Sequence, residues 1–358
     1  MKQTTIRIPG KLYIAGEYAV LEPGEPAIIV AVDAYLSCRL EEKTHTGYSQ
    51  WTSSLYPNDT FYYQGQHQVI PKKWHYVYQA VTVAETYLSE IGIEVTEYDL
   101  HFDSELIDQN GAKYGLGSSG AVTVATIKAI LTHHQYAFTP VELYKLATLA
   151  SLNVSEKGSF GDIAACVSGG WVLYRSFDRQ WLLSNMQARN SYAALVQQPW
   201  PLLEISPLDV HPTLQLMIGW TQSPASTDYH VQHFEQARLA QDDDYQYFIH
   251  ESRAFVETLA TALIQGDLTV VFSTIQELRH LLQKISAKWQ LGIETPALTQ
   301  LIEDAAAYQY EAKTSGAGGG DCGIALGHNT SEATALTQLW QQHHINPLQL
   351  SVAPSQTR

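Results

Sequence analysis

The stretch "GLGSSG", Gly115–Gly120, has the spacing of a dinucleotide fingerprint, G-x-G-x-x-G, but carries two serines. A Rossmann fold requires an apolar strand directly before such glycines. The preceding residues here, "IDQNGAKY" (107–114), are polar and typical of a loop. The residues from Ser118 to His134 have the composition of a largely buried helix capped by serine. The stretch also lacks the lysine of a Walker P-loop. It therefore predicts a small-residue turn that opens a helix.

Such a turn can bind an anion. Successive backbone N–H groups point outward at a helix N-terminus, where the helix dipole adds about half a positive charge. Gly115 and Gly117 allow the backbone to approach bulky phosphates, and Ser118 and Ser119 can donate to phosphate oxygens or place a hydroxyl on Mg²⁺. The same residues would also serve as a tight turn with a serine N-cap. The motif becomes specific only in combination with others.

The composition limits the class of protein. A chain of 358 residues with 45% hydrophobic and 16% charged residues is expected to form about two globular domains. Its net charge of −15 speaks against a nucleic-acid partner, whose electrostatic footprint would be basic. The three cysteines lack metal-site or disulfide-framework spacing. Neither a signal peptide nor an apolar stretch long enough to span a bilayer is evident, so we expect a cytoplasmic protein without a membrane partner.

The first half of the chain combines strand-like and helical segments. Thr139 and Glu142 form a capping box around Pro140, which predicts a helix over "TPVELYKLATLASL". The other predicted helices are Trp74–Gly92 and 118–134, and the predicted strands are Ala27–Glu42, Glu97–Leu106 and Gly169–Phe177.

The pattern becomes irregular between Asp178 and Pro201, so we predict domains over 1–185 and 186–358. The second half is predicted to contain a buried strand at Leu214–Trp220 and long helices over 228–285 that break near Gly266. A capped helix is predicted at Thr295–Ala312, followed by the glycine-rich "SGAGGGDCG" and the strand "GIALG". Segregated strands and helices favour an α+β fold over a regularly alternating doubly wound one.

Four motifs occur in order: "PGKLYIAGEYAVLEPG" (9–24), "GLGSSG", "GSFGDIAAC" (158–166) and "SGAGGGDCGIAL" (315–326). Together they resemble the small-molecule kinase superfamily of galactokinase, homoserine kinase, mevalonate kinase and phosphomevalonate kinase. Within it, "VLYRSFDR" (172–179), "GWTQSPAST" (219–227) and Asp321 after the triple glycine resemble the phosphomevalonate kinases. The resemblance implies an N-terminal domain like ribosomal protein S5 and a ferredoxin-like C-terminal domain, with ATP and its acceptor in the cleft between them.

The resemblance also implies catalytic roles. Lys11 would lie beside the transferring phosphoryl group, where phosphoryl transfer needs positioning and charge neutralisation. Asp162 stands at the position of the catalytic aspartate. A phosphomonoester has a second pKa of about 6, so its attacking oxygen is already largely deprotonated. We therefore expect Asp162 to orient Lys11 and the acceptor instead of removing a proton. Two roles remain open for Glu17. It either orients Lys11 or a bound metal, or forms only a local ion pair.

Two phosphorylated ligands require cations in an acidic protein. Lys113 and Lys157 are candidates, with Arg175 and His230 as weaker ones. The candidates to hydrogen-bond the phosphate or carboxylate of the acceptor are Ser159, Ser226 and Thr227. Gly316, Ala317 and Gly318 are predicted to close over the phosphoryl-transfer region, with a flexible hinge as the alternative. The predicted nucleotide-binding residues are Gly115, Leu116, Gly117, Ser118, Ser119 and Gly120, of which Ser118 and Ser119 would hold Mg²⁺.

The function implied by the resemblance is ATP- and Mg²⁺-dependent phosphorylation of phosphomevalonate to diphosphomevalonate. Alternatives are another small-molecule kinase of the superfamily, above all mevalonate kinase, the decarboxylase that acts on diphosphomevalonate, and a catalytically silent ligand sensor. Intact Lys11 and Asp162 argue against the sensor. The sequence does not determine the oligomeric state.

Overall fold

The computed structural model describes residues 2–43, 47–65, 68–188, 190–223, 233–236, 239, 242–328 and 330–356. They form two sheets, each covered by helices, in the predicted mixed helix-and-sheet class. The strands are β1 Gln3–Ala15, β2 Pro26–Glu42, β3 Ser49–Ser53, β4 Phe61–Tyr63, β5 Tyr98–Ser104, β6 Trp171–Arg175, β7 Glu204–Leu208, β8 Gln215–Trp220, β9 Glu311–Thr314, β10 Cys322–Gly327 and β11 Asn346–Leu348.

The first sheet is organised around β2. This 17-residue strand pairs antiparallel with β1 along most of its length, with β5 over its second half and with β6 over its first. The strand order is β4-β3-β5-β2-β6-β7, and β1 pairs with β2 outside this path. Residues 26–32 are all buried, as expected for a strand with neighbours on both faces.

Four helices pack on this side of the molecule: α1 His75–Glu90, α2 Ser118–His133, α3 Pro140–Leu152 and α4 Gly161–Ser168. Helices α2 and α4 contact the strands, and α1 and α3 pack against these helices. The capping box predicted for α3 is present, because Glu142 N–H donates to the Thr139 hydroxyl and Thr139 N–H donates to the Glu142 carboxylate. Helices α5 Arg179–Gln187 and α6 Tyr192–Gln197 follow β6. The positions of α2 and α4 matter for function, since both helices begin at the same cleft.

The second sheet is antiparallel with the order β11-β8-β10-β9. The helices of this half are α7 Asp243–Gln265, α8 Leu268–Trp289, α9 Pro296–Ala306 and α10 Thr330–Gln342. The predicted break between the long helices is at Gly266, which ends α7 in the left-handed conformation with φ of 73°. A hydrophobic cluster joins the two halves, because Tyr18, Ala19 and Leu21 pack with buried residues from 234 to 293.

One predicted helix boundary differs from the structure, and the first sheet extends past the predicted domain boundary. The helix predicted over Thr295–Ala312 ends at Ala306, because the chain turns through the left-handed Gln309 and residues 311–314 pair with β10 as strand β9. The first sheet continues past residue 185, since β7 pairs with β6. Division of the chain into 1–185 and 186–358 stays a prediction, although this pairing favours a boundary after Leu208.

Two further sequence predictions concern the second half. Strand β8 was predicted to be buried, but only its last three residues are buried. Its first three residues are half-exposed. The start of the helical region predicted from residue 228 lies outside the described residues. Among the helices that are described, none has the length and apolar character needed to cross a membrane.

Candidate active site

A cleft of about 620 Å³ lies between the two halves of the molecule. The first half contributes the end of β1, the loop that opens α2 and the loop that opens α4. The second half contributes the end of β8 and the glycine-rich loop between β9 and β10. All four motifs therefore meet at one place, and this volume is within the range of small-molecule sites.

Lys11 reaches the cleft from β1. The β1–β2 register shifts between Pro9 and Gly10, and such a bulge re-aims the following side chains. The Lys11 N–H donates to Leu116 O at 2.9 Å, and its Nζ donates to Gly115 O at 3.3 Å. Backbone and side chain of Lys11 are thus both bonded to the glycine-serine loop. The Lys11 side chain therefore lies at the cleft wall beside that loop.

The glycine-serine loop opens α2 differently from the prediction. The N-cap of α2 is Gly117, in the left-handed conformation with φ of 81°, and no side chain caps the helix. Ser118 and Ser119 are the first two helical residues and line the cleft. The predicted serine N-cap is therefore wrong. Gly117 takes this position because its backbone is left-handed, a conformation that glycine adopts at little cost. This arrangement leaves both serine hydroxyls at the cleft wall, beside the N-terminus of a 16-residue helix.

Asp162 lies in the first turn of α4 and faces the same loop. A Cβ added at Gly120 would stand 2.6 Å from Asp162 Oδ2, so the carboxylate packs directly on the first turn of α2. Burial raises the pKa of the Asp162 carboxyl, and the positive charge of Lys11 and two backbone N–H groups oppose that shift. Lys11 and Asp162 are therefore electrostatically coupled across the glycine-serine loop.

Asp321 contacts this loop from the opposite half of the molecule. Its side chain packs on Gly115, where an added Cβ would stand 2.6 Å from the carboxylate. Its backbone is left-handed, with φ of 51°, and is held by Thr221 N–H donating to Asp321 O at 2.9 Å and Asp321 N–H donating to Ser223 O at 2.7 Å. The resemblance singled out Asp321 as a family marker, and the structure places it in the cleft wall.

Ser159 belongs to a chain of hydroxyl groups that the sequence analysis missed. Its Oγ lies 2.6 Å from Tyr13 Oη, Tyr174 Oη donates to its carbonyl at 2.6 Å, and Tyr144 Oη lies 2.8 Å from Tyr174 Oη. Burial, and then the nearby charge of Asp162, raise the pKa of Tyr13, which keeps its hydroxyl protonated. The available signal was the strand period, because Lys11 and Tyr13 project from the same face of β1.

The predicted cationic residues separate into two groups. Lys113 and Lys157 are exposed and line the cleft. The loop that carries Lys157 is held by Arg179, which donates to Glu156 O at 3.0 Å and to Gly158 O. Arg175 was a weaker candidate, and it does not belong to the site.

The reason is that Arg175 has partners elsewhere. It donates to Glu257 Oε1 at 2.7 Å and to Glu204 Oε2 at 3.2 Å, outside the cleft. The remaining candidates Ser226, Thr227 and His230 lie outside the described residues.

The glycine-rich loop is anchored on both sides. Gly316 and Ala317 line the cleft, and the Tyr18 hydroxyl donates to Ala317 O. Gly318 is not among the lining residues, because it packs against Ile293, whose carbonyl oxygen would stand 2.3 Å from an added Cβ. Gly318 was predicted to close over the phosphoryl-transfer region with Gly316 and Ala317. Its contacts with Ile293 support the loop, and the predicted role stays a prediction. These anchors argue against the flexible hinge.

Among the described residues, Glu17 forms neither a hydrogen bond to Lys11 nor a local ion pair. Its carboxylate is buried and paired with Lys313 Nζ of β9, in an ion pair that connects the two halves of the chain. This pair is therefore not local, and Glu17 makes no hydrogen bond to Lys11 among those formed by the described residues. Sequence reasoning missed Lys313, because nothing in "YEAKTSG" marks a buried lysine.

Oxygen ligands for a nucleotide-bound Mg²⁺ are present. Among the described residues, no group of three or more His, Cys, Asp and Glu side chains could hold a metal ion by itself. The Ser118 and Ser119 hydroxyls and the Asp162 carboxylate nevertheless lie around one loop. Mg²⁺ binds through one or two such ligands, phosphate oxygens and water, so these residues fit an ion that arrives with the nucleotide.

Comparisons with known proteins agree with this arrangement. The GHMP kinases N terminal domain matches residues 75–170, and the GHMP kinases C terminal domain matches residues 259–346. A phosphomevalonate kinase of Streptomyces sp. strain CL190 is 35% identical over 98% of both chains. A solved Listeria innocua protein superposes with a TM-score of 0.93 at 34% identity, covering 99% of each chain. Streptococcus pneumoniae phosphomevalonate kinase, solved with phosphomevalonate and AMPPNP, has a TM-score of 0.87 at 28% identity and covers 98% of this chain and 99% of that one.

Proposed function

Because the chain belongs to the GHMP kinase family, we propose that it transfers the γ-phosphoryl group of ATP to the phosphate of phosphomevalonate, forming diphosphomevalonate and ADP. The observation that carries this proposal is the position of Lys11 across the glycine-serine loop, with Asp162 on the same loop, in a chain similar along its whole length to a phosphomevalonate kinase. The solved Streptococcus relative was crystallised with the corresponding pair of ligands.

The chemistry requires charge neutralisation more than covalent participation of the protein. An oxygen of the acceptor phosphate forms a bond to the γ-phosphorus, and the bond from that phosphorus to the β–γ bridging oxygen breaks. Negative charge on the transferring group is stabilised by the Lys11 ammonium and by the N–H groups at the start of α2. Lys113 and Lys157 add positive charge at the rim of the cleft.

Asp162 acts as an orienting group in this proposal. The acceptor phosphate is largely deprotonated near neutral pH, since its second pKa is about 6, so a general base is unnecessary. The carboxylate packs on Gly120 and attracts the Lys11 ammonium, whose side chain packs on Gly117, so that the ammonium would be held toward the reacting oxygens. An alcohol acceptor such as mevalonate would instead need Asp162 to take a proton.

The nucleotide would be held through Gly115–Gly120, with Ser118 and Ser119 as the ligands of its Mg²⁺. When bound, that ion neutralises charge on the β- and γ-phosphates. On the acceptor side, Ser159 offers a hydroxyl oriented by Tyr13, and Lys113 offers a cation. Ser226 and Thr227 stay predictions for the same role. Gly316 and Ala317 would cover the transferring group from the second half.

The test is ADP release from Mg-ATP with one acceptor in each reaction: phosphomevalonate, mevalonate, diphosphomevalonate, homoserine or galactose. We expect turnover with phosphomevalonate alone. Turnover with another acceptor would retain the family and reject the substrate, and carbon dioxide release with diphosphomevalonate would identify a decarboxylase. Bound ATP without turnover in any reaction would favour a ligand sensor.

A further inference from the structure

The Glu17–Lys313 ion pair is buried at the boundary between the two halves of the molecule. The Lys313 side chain is 0% exposed and that of Glu17 is 2% exposed. Glu17 follows the end of β1 and lines the cleft, while Lys313 lies on β9 and pairs in register with Ile324 of β10. The two residues are 296 positions apart in the chain, so the pair forms only when both sheets are in place.

Two more hydrogen bonds connect the same two segments. The Ser315 hydroxyl donates to Tyr13 O at 2.9 Å, and the Tyr18 hydroxyl donates to Ala317 O. Lys313 Nζ also donates to Thr314 O at 2.7 Å, which holds the ammonium against its own strand end. Residues 13–18 are thereby bonded to residues 313–317, and each segment contains cleft residues.

A buried ion pair is poor evidence of a stabilising role. The cost of removing both charges from water often equals or exceeds their attraction, and apolar residues of similar volume are frequently as stable. What an ion pair does provide is a defined geometry, because its attraction falls as the charged atoms separate in a low-dielectric environment. A pair retained between the active-site strand and the glycine-rich loop therefore suggests a requirement for position.

We propose that Glu17 and Lys313 are positioning residues that hold the glycine-rich loop, Ser315–Gly320, in register with the strand that carries Lys11. Neither residue contacts the reacting atoms in this proposal. The pair sets how closely Gly316 and Ala317 approach the phosphate groups when both ligands are bound. This inference rests on the proposed kinase activity. It adds a requirement for two residues, of which only Glu17 lies in one of the four motifs.

The central experiment is the double variant Glu17→Met/Lys313→Met, which replaces two charges by apolar side chains of similar length. Each single change leaves one buried charge without its partner and should lower the unfolding temperature, whereas the double variant should recover most of that loss. We expect the double variant to bind AMPPNP like the wild type but to lose about tenfold or more in kcat, because misplacement near the chemistry is costly. A double variant with wild-type kcat would overturn the proposal, since the pair would then be structural only.

A matched control is the Glu25–Arg253 pair, which also joins the two halves but lies outside the residues that line the cleft. Its Glu25 side chain is 3% exposed and its Arg253 side chain 52% exposed. Glu25→Met/Arg253→Met should leave kcat within about twofold of the wild type. A tenfold loss in this control as well would attribute the effect to domain docking in general and reject a specific role for Glu17 and Lys313.

Two measurements keep the proposal testable if the double variant folds poorly or the acceptor is not phosphomevalonate. Glu17→Asp keeps the charge but shortens the side chain, and should lower kcat while nucleotide binding is retained. Hydrogen exchange measured by mass spectrometry needs no acceptor: residues 315–320 should exchange faster in Glu17→Asp, while β2 stays protected. Unchanged exchange in this loop together with wild-type kcat would reject the proposal.

Discussion

The Lys11 side chain occupies the space that a side chain at position 117 would need: a Cβ at Gly117 would stand 2.8 Å from Lys11 Cε. The same relationship is repeated along the loop, where Gly115 accommodates Asp321 and Gly120 accommodates Asp162, each with a 2.6 Å approach. The glycines of "GLGSSG" therefore do more than let the backbone approach a phosphate. They also allow one cation and two carboxylates to pack against the loop.

Substitution of Gly120 tests this relationship. Gly120 is inside α2, where alanine is intrinsically favoured over glycine by about 1 kcal/mol. Gly120→Ala should nevertheless lower kcat about 10- to 100-fold, because the added methyl group displaces the Asp162 carboxylate. Steady-state kinetics and thermal unfolding separate the two effects. Unchanged kcat in Gly120→Ala would contradict the prediction.

Removal of the Lys11 charge should affect the transition state most. We expect Lys11→Met to lower kcat by about 10²- to 10³-fold, the range seen when one electrostatic stabiliser is removed. The KM for ATP should change less, because the backbone of the glycine-serine loop remains. Lys72→Met, at an exposed lysine outside the cleft, serves as the control. Equal losses in kcat for both variants would exclude a specific role for Lys11.

The pKa of Asp162 should depend on Lys11. Burial raises this pKa above the usual value of 3.8, and the Lys11 charge lowers it by favouring the ionised form. Lys11→Met removes that opposing cation, so the pKa should rise further. Carboxyl ¹³C NMR of protein labelled at aspartate, with the resonance assigned through Asp162→Asn, measures both values in the absence of ligand. A pKa that falls or stays constant in Lys11→Met would show that the two groups are not coupled.

The Asp162→Asn variant should be more stable but less active than the wild type. Because the folded-state pKa is raised, the ionised carboxyl disfavours folding at any pH above its unfolded pKa, and this penalty disappears below that value. The substituted amide carries no charge, so the variant should unfold at a higher temperature than the wild type near neutral pH but not in acid. Its kcat should fall by about 10²-fold, because Lys11 and the acceptor lose the group that orients them. Recovery of kcat above the second pKa of the acceptor would show instead that Asp162 removes a proton.

Tyr13 should influence the acceptor through Ser159. Tyr13→Phe removes the hydroxyl 2.6 Å from Ser159 Oγ while it retains the ring. Loss of one such hydrogen bond costs about 1 kcal/mol, which corresponds to a rise of about fivefold in the KM for the acceptor. The KM for ATP should stay unchanged. Tyr62→Phe, at a tyrosine that is 48% exposed, is the control. An equal rise in the KM for ATP and the KM for the acceptor in Tyr13→Phe would reject a role specific to the acceptor.

Some features were predictable because they depend on residues close together in the chain. The capping box at Thr139 and Glu142 was predicted with its partners, since both contacts lie within one helical turn. The order of four motifs likewise predicted the family, whereas the nucleotide-binding role of "GLGSSG" stays a prediction. Lys11 and Asp162 were identified from those motifs, and in the structure both side chains contact the glycine-serine loop.

Other features needed the coordinates, because they depend on contacts between distant segments. The α9 boundary was missed since residues 311–314 pair with β10, and pairing with a later strand overrides local helical preference. Arg175 could not be separated from Lys113 by residue type, because its partners Glu204 and Glu257 are distant in sequence. The packing of Gly318 against Ile293 was likewise not predictable, because Ile293 lies on another segment.

The sequence by itself determined the family and the fold class, because those properties reside in short motifs whose residues are chain neighbours. Only the tertiary structure decided which charges meet at the cleft. Asp321 packs on Gly115, and Glu17 pairs with Lys313 across 296 residues of chain. Periodicity and spacing report local geometry alone, whereas these contacts arise when the two sheets pack together and exclude water from between them.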